Sequence, residues 1–214
     1  MNATFDHTDH TYEEAANTIT HGFGALLSLI AGIALIVMAA LSGNPWQIVS
    51  AAVYSLSLVL LYTASTLYHG ARSGRAKRRL EIFDPCAIFI LIAGTYTPFT
   101  LVTLRGPLGW TLFGIVWGLA SLGILFKLVF ATRFQIVSTL AYIAMGWLVV
   151  VAAGPMIRAL PGTTIALLVA GGLAYTLGTL FYHNKRIPYS HAIWHLFVLA
   201  GSALHFLAVA SQVV

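Results

Sequence analysis

Seven stretches of about twenty predominantly apolar residues follow one another along the chain, near 19–41, 46–69, 84–104, 107–128, 134–155, 161–182 and 191–212. Each is long enough, as a helix, to cross a hydrocarbon core of about 30 Å. Helix breakers separate them: Gly43-Asn44-Pro45, Gly106-Pro107, Pro161-Gly162 and Pro188. Trp46, Trp110 and Tyr189 fall near predicted ends, where amphipathic rings favour the membrane–water interface. The pattern predicts an all-α membrane protein, a seven-transmembrane helix bundle over residues 18–214. An acidic cytoplasmic segment, 1–17, precedes it and carries Asp6, Asp9, Glu13 and Glu14. The predicted helices are called spans 1 to 7 below.

Composition sharpens this reading. The chain is 59% apolar and only 8% charged, against about 25% charged in a soluble domain, so its bulk solvent is lipid. The formal net charge of +5 would suit nucleic acid were it not confined to the connections. Arg72, Arg75, Lys77, Arg78, Arg79, Lys127, Arg133, Lys185 and Arg186 lie on one side of the expected topology, and Arg105 and Arg158 on the other. Nine against two place the amino terminus and the even-to-odd connections in the cytoplasm, and the carboxyl terminus outside. Nucleic-acid binding is excluded; the expected location is a membrane with one face on the cytoplasm. Residues 1–17 have no basic n-region, so no secretory signal is expected there. The single cysteine, Cys86, permits no internal disulfide and reads as an apolar filler.

The remaining polar residues converge. His21 opens span 1, Ser65 and His69 close span 2, Asp84 opens span 3, His183 closes span 6, and His191 and His195 open span 7. All belong at the cytoplasmic end by a topology derived from hydrophobicity and Lys/Arg alone. His191 and His195 stand four apart, so a helix projects both rings from one face. If spans 2 and 7 pack together, His69, His191 and His195 offer three nitrogen ligands to one metal. Three protein ligands plus water is the composition of a catalytic zinc site, and such a metal lowers the pKa of its water towards about 7. Asp84 would hold that water and take its proton, and Ser65 would orient the water or a substrate oxygen. Three imidazoles equally suit copper, iron or nickel.

Each residue also has a structural reading. His69 can cap the end of span 2, Asp84-Pro85 is a sound N-cap and N1 pair, and Ser190 can cap span 7. His205, deeper in span 7, reads as a hydrogen-bonded packing residue, and nothing pairs with His183 at ligand spacing. Asn17 or Thr20 caps span 1; alternatively the segment folds over the site, so that His21, Glu14 and Asn17 bond the groups holding the metal. Jointly the structural readings weaken, because ionisable groups within a bilayer are costly and mark function.

Taken together, Glu14-x-x-Asn17-x-x-Thr20-His21, Ser65-x-x-x-His69, Asp84 and His191-x-x-x-His195 with a later His205-Phe206 resemble the progestin and adipoQ receptor family. Ala93-Gly94-Thr95-Tyr96-Thr97-Pro98-Phe99 is similar to its bacterial branch, the hemolysin III proteins. The resemblance implies a seven-helix fold with zinc on the equivalents of His69, His191 and His195, a water placed by Asp84, and Ser65 close by. The wider superfamily includes alkaline ceramidases, which makes an intramembrane lipid amidase or esterase the expected activity. Membrane lipid is the implied partner and substrate source. Pro85 departs from the branch, which commonly carries His there, and is expected to tilt the start of span 3. Hormone binding is not carried over, because the long amino-terminal domain of the adiponectin receptors has no counterpart here.

Three other classes compete with a hydrolase. A lipid sensor or regulator would use zinc structurally. A pore-forming cytolysin finds little support, since no helix carries a charged stripe. An alternating-access transporter finds less, without an internal repeat or a midplane acid. The small-residue faces Gly114-x-x-x-Gly118 and Gly24-x-x-x-Ser28-x-x-x-Gly32 are expected to pack helices within the bundle, which leaves the oligomeric state open.

Overall fold

The computed structural model describes residues 3–184 and 186–214, with side chains from residue 11 onward. Asp6 and Asp9 of the acidic segment, and Lys185 of the charge argument, lie outside the described side chains. Among the described residues there is no strand, and seven helices are long and apolar enough to cross a membrane. They run Thr11–Ser42, Pro45–Gly70, Gly74–Thr103, Pro107–Phe130, Gln135–Ala159, Gly162–His183 and Ser190–Val213.

Local chemistry sets several boundaries as the sequence predicts. Gly43 takes a positive φ of 71° after span 1, and the Asn44 side-chain oxygen Oδ1 accepts from Trp46 N at 3.0 Å, with Pro45 in the first turn. Other boundaries differ. Span 1 is continuous with the segment before it, one helix over Ala3–Ser42, so Asn17 and Thr20 lie inside it and cap nothing. Span 3 begins at Gly74 rather than Asp84, which puts Arg75, Lys77, Arg78 and Arg79 in its first turns. Asp84 is therefore not an N-cap. Pro85 sits within the helix at the loss of one backbone hydrogen bond, and Tyr142 OH donates to its carbonyl at 3.0 Å. Ser190 makes no cap hydrogen bond for span 7, which follows Tyr189 in a left-handed turn.

Span 3 is the most buried helix; it packs closely on span 2, which packs in turn on span 1, and span 7 lies against span 1. Span 6 lies against span 7 and span 4 against span 3, whereas span 5 touches its neighbours only sparingly. Span 5 is also broken, α-helical over Gln135–Gly146, then 3₁₀ over Trp147–Ala152. Tyr96 OH splints the break: it reaches the Met145 and Gly146 carbonyls at 2.9 Å each, and accepts from Val149 N at 2.8 Å. Loose packing of span 5 leaves a cavity of about 580 Å³ lined by residues of all seven spans, span 4 contributing Lys127.

Small residues tighten the other contacts. A Cβ on Gly24 would stand 2.6 Å from the Tyr62 ring, one on Gly32 2.9 Å from Ser55, and one on Gly94 2.8 Å from Ser57 Cβ. Those faces serve the bundle, as expected of span 1. Gly114 and Gly118 do not: both are exposed, with nothing within 4 Å of an added Cβ. Their face turns outward, because span 4 buries Leu112, Val116 and Ala120 instead.

Candidate metal centre

Span 2 ends at Gly70, which places Ser65 and His69 one turn apart on its inward face, 1% and 5% exposed. Span 7 begins at Ser190 and presents His191 and His195 one turn apart in the same way. Spans 2 and 7 are in contact, and three rings meet between them. Their centroids form a near-equilateral triangle, His69–His191 4.8 Å, His69–His195 5.1 Å and His191–His195 4.7 Å, with mutual inclinations of 61° to 73°. One nitrogen from each lies within 4.8 Å of the others, so the three histidines can hold a metal ion.

Hydrogen bonding from span 1 bears on which nitrogen each ring offers. His69 Nδ1 lies 3.4 Å from Glu14 Oε2, and Lys77 Nζ donates to the same oxygen at 2.9 Å. A carboxylate only accepts, so its bond fixes the proton on Nδ1. His69 Nε2 is then left with a lone pair, buried and without a hydrogen-bond partner among the described residues. The Thr20 hydroxyl donates to the Ala16 carbonyl at 2.9 Å, which leaves its oxygen to accept from His195 Nδ1 at 3.1 Å. His195 thereby also keeps Nε2 for a ligand. Burying an unsatisfied acceptor costs about 1–3 kcal/mol, and a cation among these rings removes that cost. The donor set fits a borderline-soft divalent ion such as zinc.

Around the triangle the other expected residues take definite places. His21 is stacked on His195, with centroids 3.4 Å apart and planes 9° apart, and meets Tyr62 edge-on at 5.0 Å. Both of its nitrogens are buried without a hydrogen-bond partner among the described residues. Asn17 Nδ2 stands 3.4 Å from His69 Nδ1, while its Oδ1 has no hydrogen-bond partner among the described residues. Turned about its last torsion, that amide presents Oδ1 to the proton Glu14 receives. Asp84 and Ser65 line the cavity with His69, and Ser65 Oγ is buried without a hydrogen-bond partner among the described residues.

Two histidines lie apart from the triangle. His183 Nε2 bonds Thr139 Oγ1 at 3.0 Å and ties span 6 to span 5. His205 Nε2 bonds the Leu168 carbonyl at 3.1 Å and packs on Gly171, a packing role. Sequence reasoning missed Thr20 as a partner of His195, Lys77 as a partner of Glu14, and Glu13, whose carboxylate accepts from His191 N at 3.3 Å. Glu13 caps span 7 from another helix, in the role expected of Ser190, and favours the positive end of that helix dipole. The missed signal is periodicity: Glu13 or Glu14, Asn17, Thr20 and His21 share one face only if residues 13–21 are helical.

The chain matches the family described as Haemolysin-III related over residues 10–206. It is 50% identical to "Hemolysin-3" of Bacillus cereus over 202 residues, covering 94% of this chain and 92% of that protein. Against "Hemolysin-3 homolog" of Bacillus subtilis (strain 168) it is 51% identical over 197 residues, covering 92% of each. It is also 30% identical to the human "Monocyte to macrophage differentiation factor" over 205 residues, covering 92% of this chain and 83% of that one. Seven spanning helices together with half-identical bacterial relatives place the chain in a bacterial plasma membrane. The chain belongs to the haemolysin-III-related family of integral membrane proteins.

Proposed function

We propose that this protein is a zinc-dependent intramembrane hydrolase acting on a lipid amide or ester. The observation that carries the reading is the triangle of His69, His191 and His195, with a buried, unpartnered Nε2 on His69, opening onto a cavity of about 580 Å³. The wall joins polar side chains to apolar ones, Leu61, Ile88, Leu91, Ile92 and Val198 among them. That mixed lining suits an amphiphile whose carbonyl stands at the histidines and whose chain lies along the apolar side chains.

Zinc held by the three imidazoles supplies a Lewis acid that polarises a carbonyl and acidifies water. The residues around it do the rest. Asp84 accepts the proton of the attacking water and returns it to the leaving amine or alcohol. Ser65 directs its hydroxyl to the water or to the carbonyl oxygen. Glu14, Thr20 and Asn17 hold the imidazoles in the tautomers that leave Nε2 available. Asp84 then belongs to the reacting atoms, while Glu14 and Thr20 position the ligands. By the distribution of Lys and Arg, the site faces the cytoplasm.

The test is hydrolysis of long-chain acyl amides and esters by purified protein. Activity should disappear with a strong chelator and return with zinc, and Asp84→Ala should lower it by at least about a hundredfold while zinc stays bound. Full activity in His191→Ala would sink the reading. A non-enzymatic sensor with structural zinc predicts instead that Asp84→Ala preserves cellular function. The relatives' name raises lysis as another activity, which conductance of planar bilayers carrying the purified protein would reveal.

A further inference from the structure

Among the described residues the cavity wall carries four acids, Glu13, Glu14, Glu81 and Asp84, and a single lysine, Lys127. Lys127 stands in the last turn of span 4. A lysine there ordinarily extends its ammonium to the headgroups, with the apolar stem lying along the helix. This one does not: the residue is only 3% exposed and its side chain lines the cavity. Its ammonium reaches one acceptor, the Ala131 carbonyl at 3.5 Å, at the edge of hydrogen-bonding distance. Among the described residues no carboxylate pairs with it, since the ion pairs to carboxylates involve His69 and Lys77, both with Glu14. The titratable group facing it is the buried Cys86 thiol on span 3.

An ammonium carries three donors, and burying it without an anion to pair with is costly. The contrast with Lys77, whose partner Glu14 lies at 2.9 Å, shows that a lysine at this end of the bundle can find a carboxylate. Neutral polar groups, Thr132, Gln135, Ser138 and Thr139, line the cavity as well. An anion beside Lys127 would find further donors among them. The wall is thus electrostatically asymmetric, with acids on the histidine side and one cation on span 4.

We propose that Lys127 is an anion-binding subsite of the cavity, receiving a carboxylate or a phosphate carried on the polar side of an amphiphile. The substrate class is then an acidic lipid amide or ester rather than a neutral one. The inference rests on the cavity being the lipid site of the proposed function, but not on any hydrolysis.

Binding therefore tests it without turnover. Radiolabelled laurate, dodecyl phosphate and dodecanol share one chain, and none carries an acyl bond to cleave. Their equilibrium binding would be measured on the full chain in neutral-lipid nanodiscs, corrected against empty discs. A charge-assisted hydrogen bond predicts that laurate, dodecyl phosphate or both bind about tenfold or more tightly than dodecanol. Which anion gains tells a carboxylate subsite from a phosphate one. Lys127→Gln should abolish the preference with dodecanol binding unchanged, and Lys127→Arg should keep it. Equal affinity for all three ligands in the wild type overturns the proposal, as does a preference that persists in Lys127→Gln. Hydrolysis by the wild type, or its failure, leaves both results readable.

Discussion

Replacing Glu14 by alanine removes the carboxylate that holds His69 in its tautomer. In the wild type its Oε2 lies 3.4 Å from His69 Nδ1 and 2.9 Å from Lys77 Nζ. A hydrogen bond to a charged group contributes about 1.5–3 kcal/mol. The long separation and the sharing with Lys77 place this one at the low end, and about 1.4 kcal/mol is tenfold in affinity. Asn17 remains as a second neighbour of Nδ1 at 3.4 Å, so the ring is not left without support. Glu14→Ala should therefore weaken zinc binding about tenfold, within the 10–100-fold range typical of such outer partners. Glu14→Gln keeps an acceptor oxygen and should lose less. Competition of purified protein against a chromophoric chelator at neutral pH reads the difference. Unchanged affinity in Glu14→Ala would refute the tautomer argument, and so would a loss as complete as that of His69→Ala.

Packing predictions are independent of the metal. Gly94→Ala puts a Cβ 2.8 Å from Ser57 Cβ and should cost about 1–3 kcal/mol by thermal unfolding in detergent, whereas exposed Gly118→Ala should be neutral or stabilising by up to about 1 kcal/mol. Tyr96→Phe strips the splint from the break in span 5, leaves Val149 N without its acceptor, and should lower stability by about 1–3 kcal/mol. His205→Ala removes the bond to the Leu168 carbonyl at 3.1 Å; unfolding should come earlier while metal affinity stays at the wild-type value, and loss of metal would assign His205 to the site. Thr20→Val deletes the acceptor of His195 Nδ1 and should weaken zinc binding about tenfold or more, measured as for Glu14.

The seven spans were legible because lipid enforces a coarse rule: a continuous apolar run must be a helix that satisfies its own backbone. The shared face of His191 and His195 was legible for the same reason, since 3.6 residues per turn brings both rings to one side of the helix. Helix starts were not. Arg75 to Arg79 and Glu13 to Asn17 are polar, and hydropathy reads polar helical turns beyond the membrane as connections. Reading Asp84-Pro85 as an N-cap followed from that error, because the true start at Gly74 lacks a side-chain cap. Lys127 was counted as a topology charge; only the third dimension shows its side chain turned inward. Gly114 and Gly118 illustrate the limit from the other side, because the motif spacing says which residues share a face and not what that face meets.

Metal content of purified protein tests the central claim most directly. Elemental analysis of wild type, reconstituted with zinc and freed of excess, should find about one equivalent per chain. The His69/His191/His195 triple alanine variant, shown to be folded by its helical circular dichroism, should hold none. A wild type that returns empty, or a triple variant that binds as much zinc as the wild type, would contradict the account.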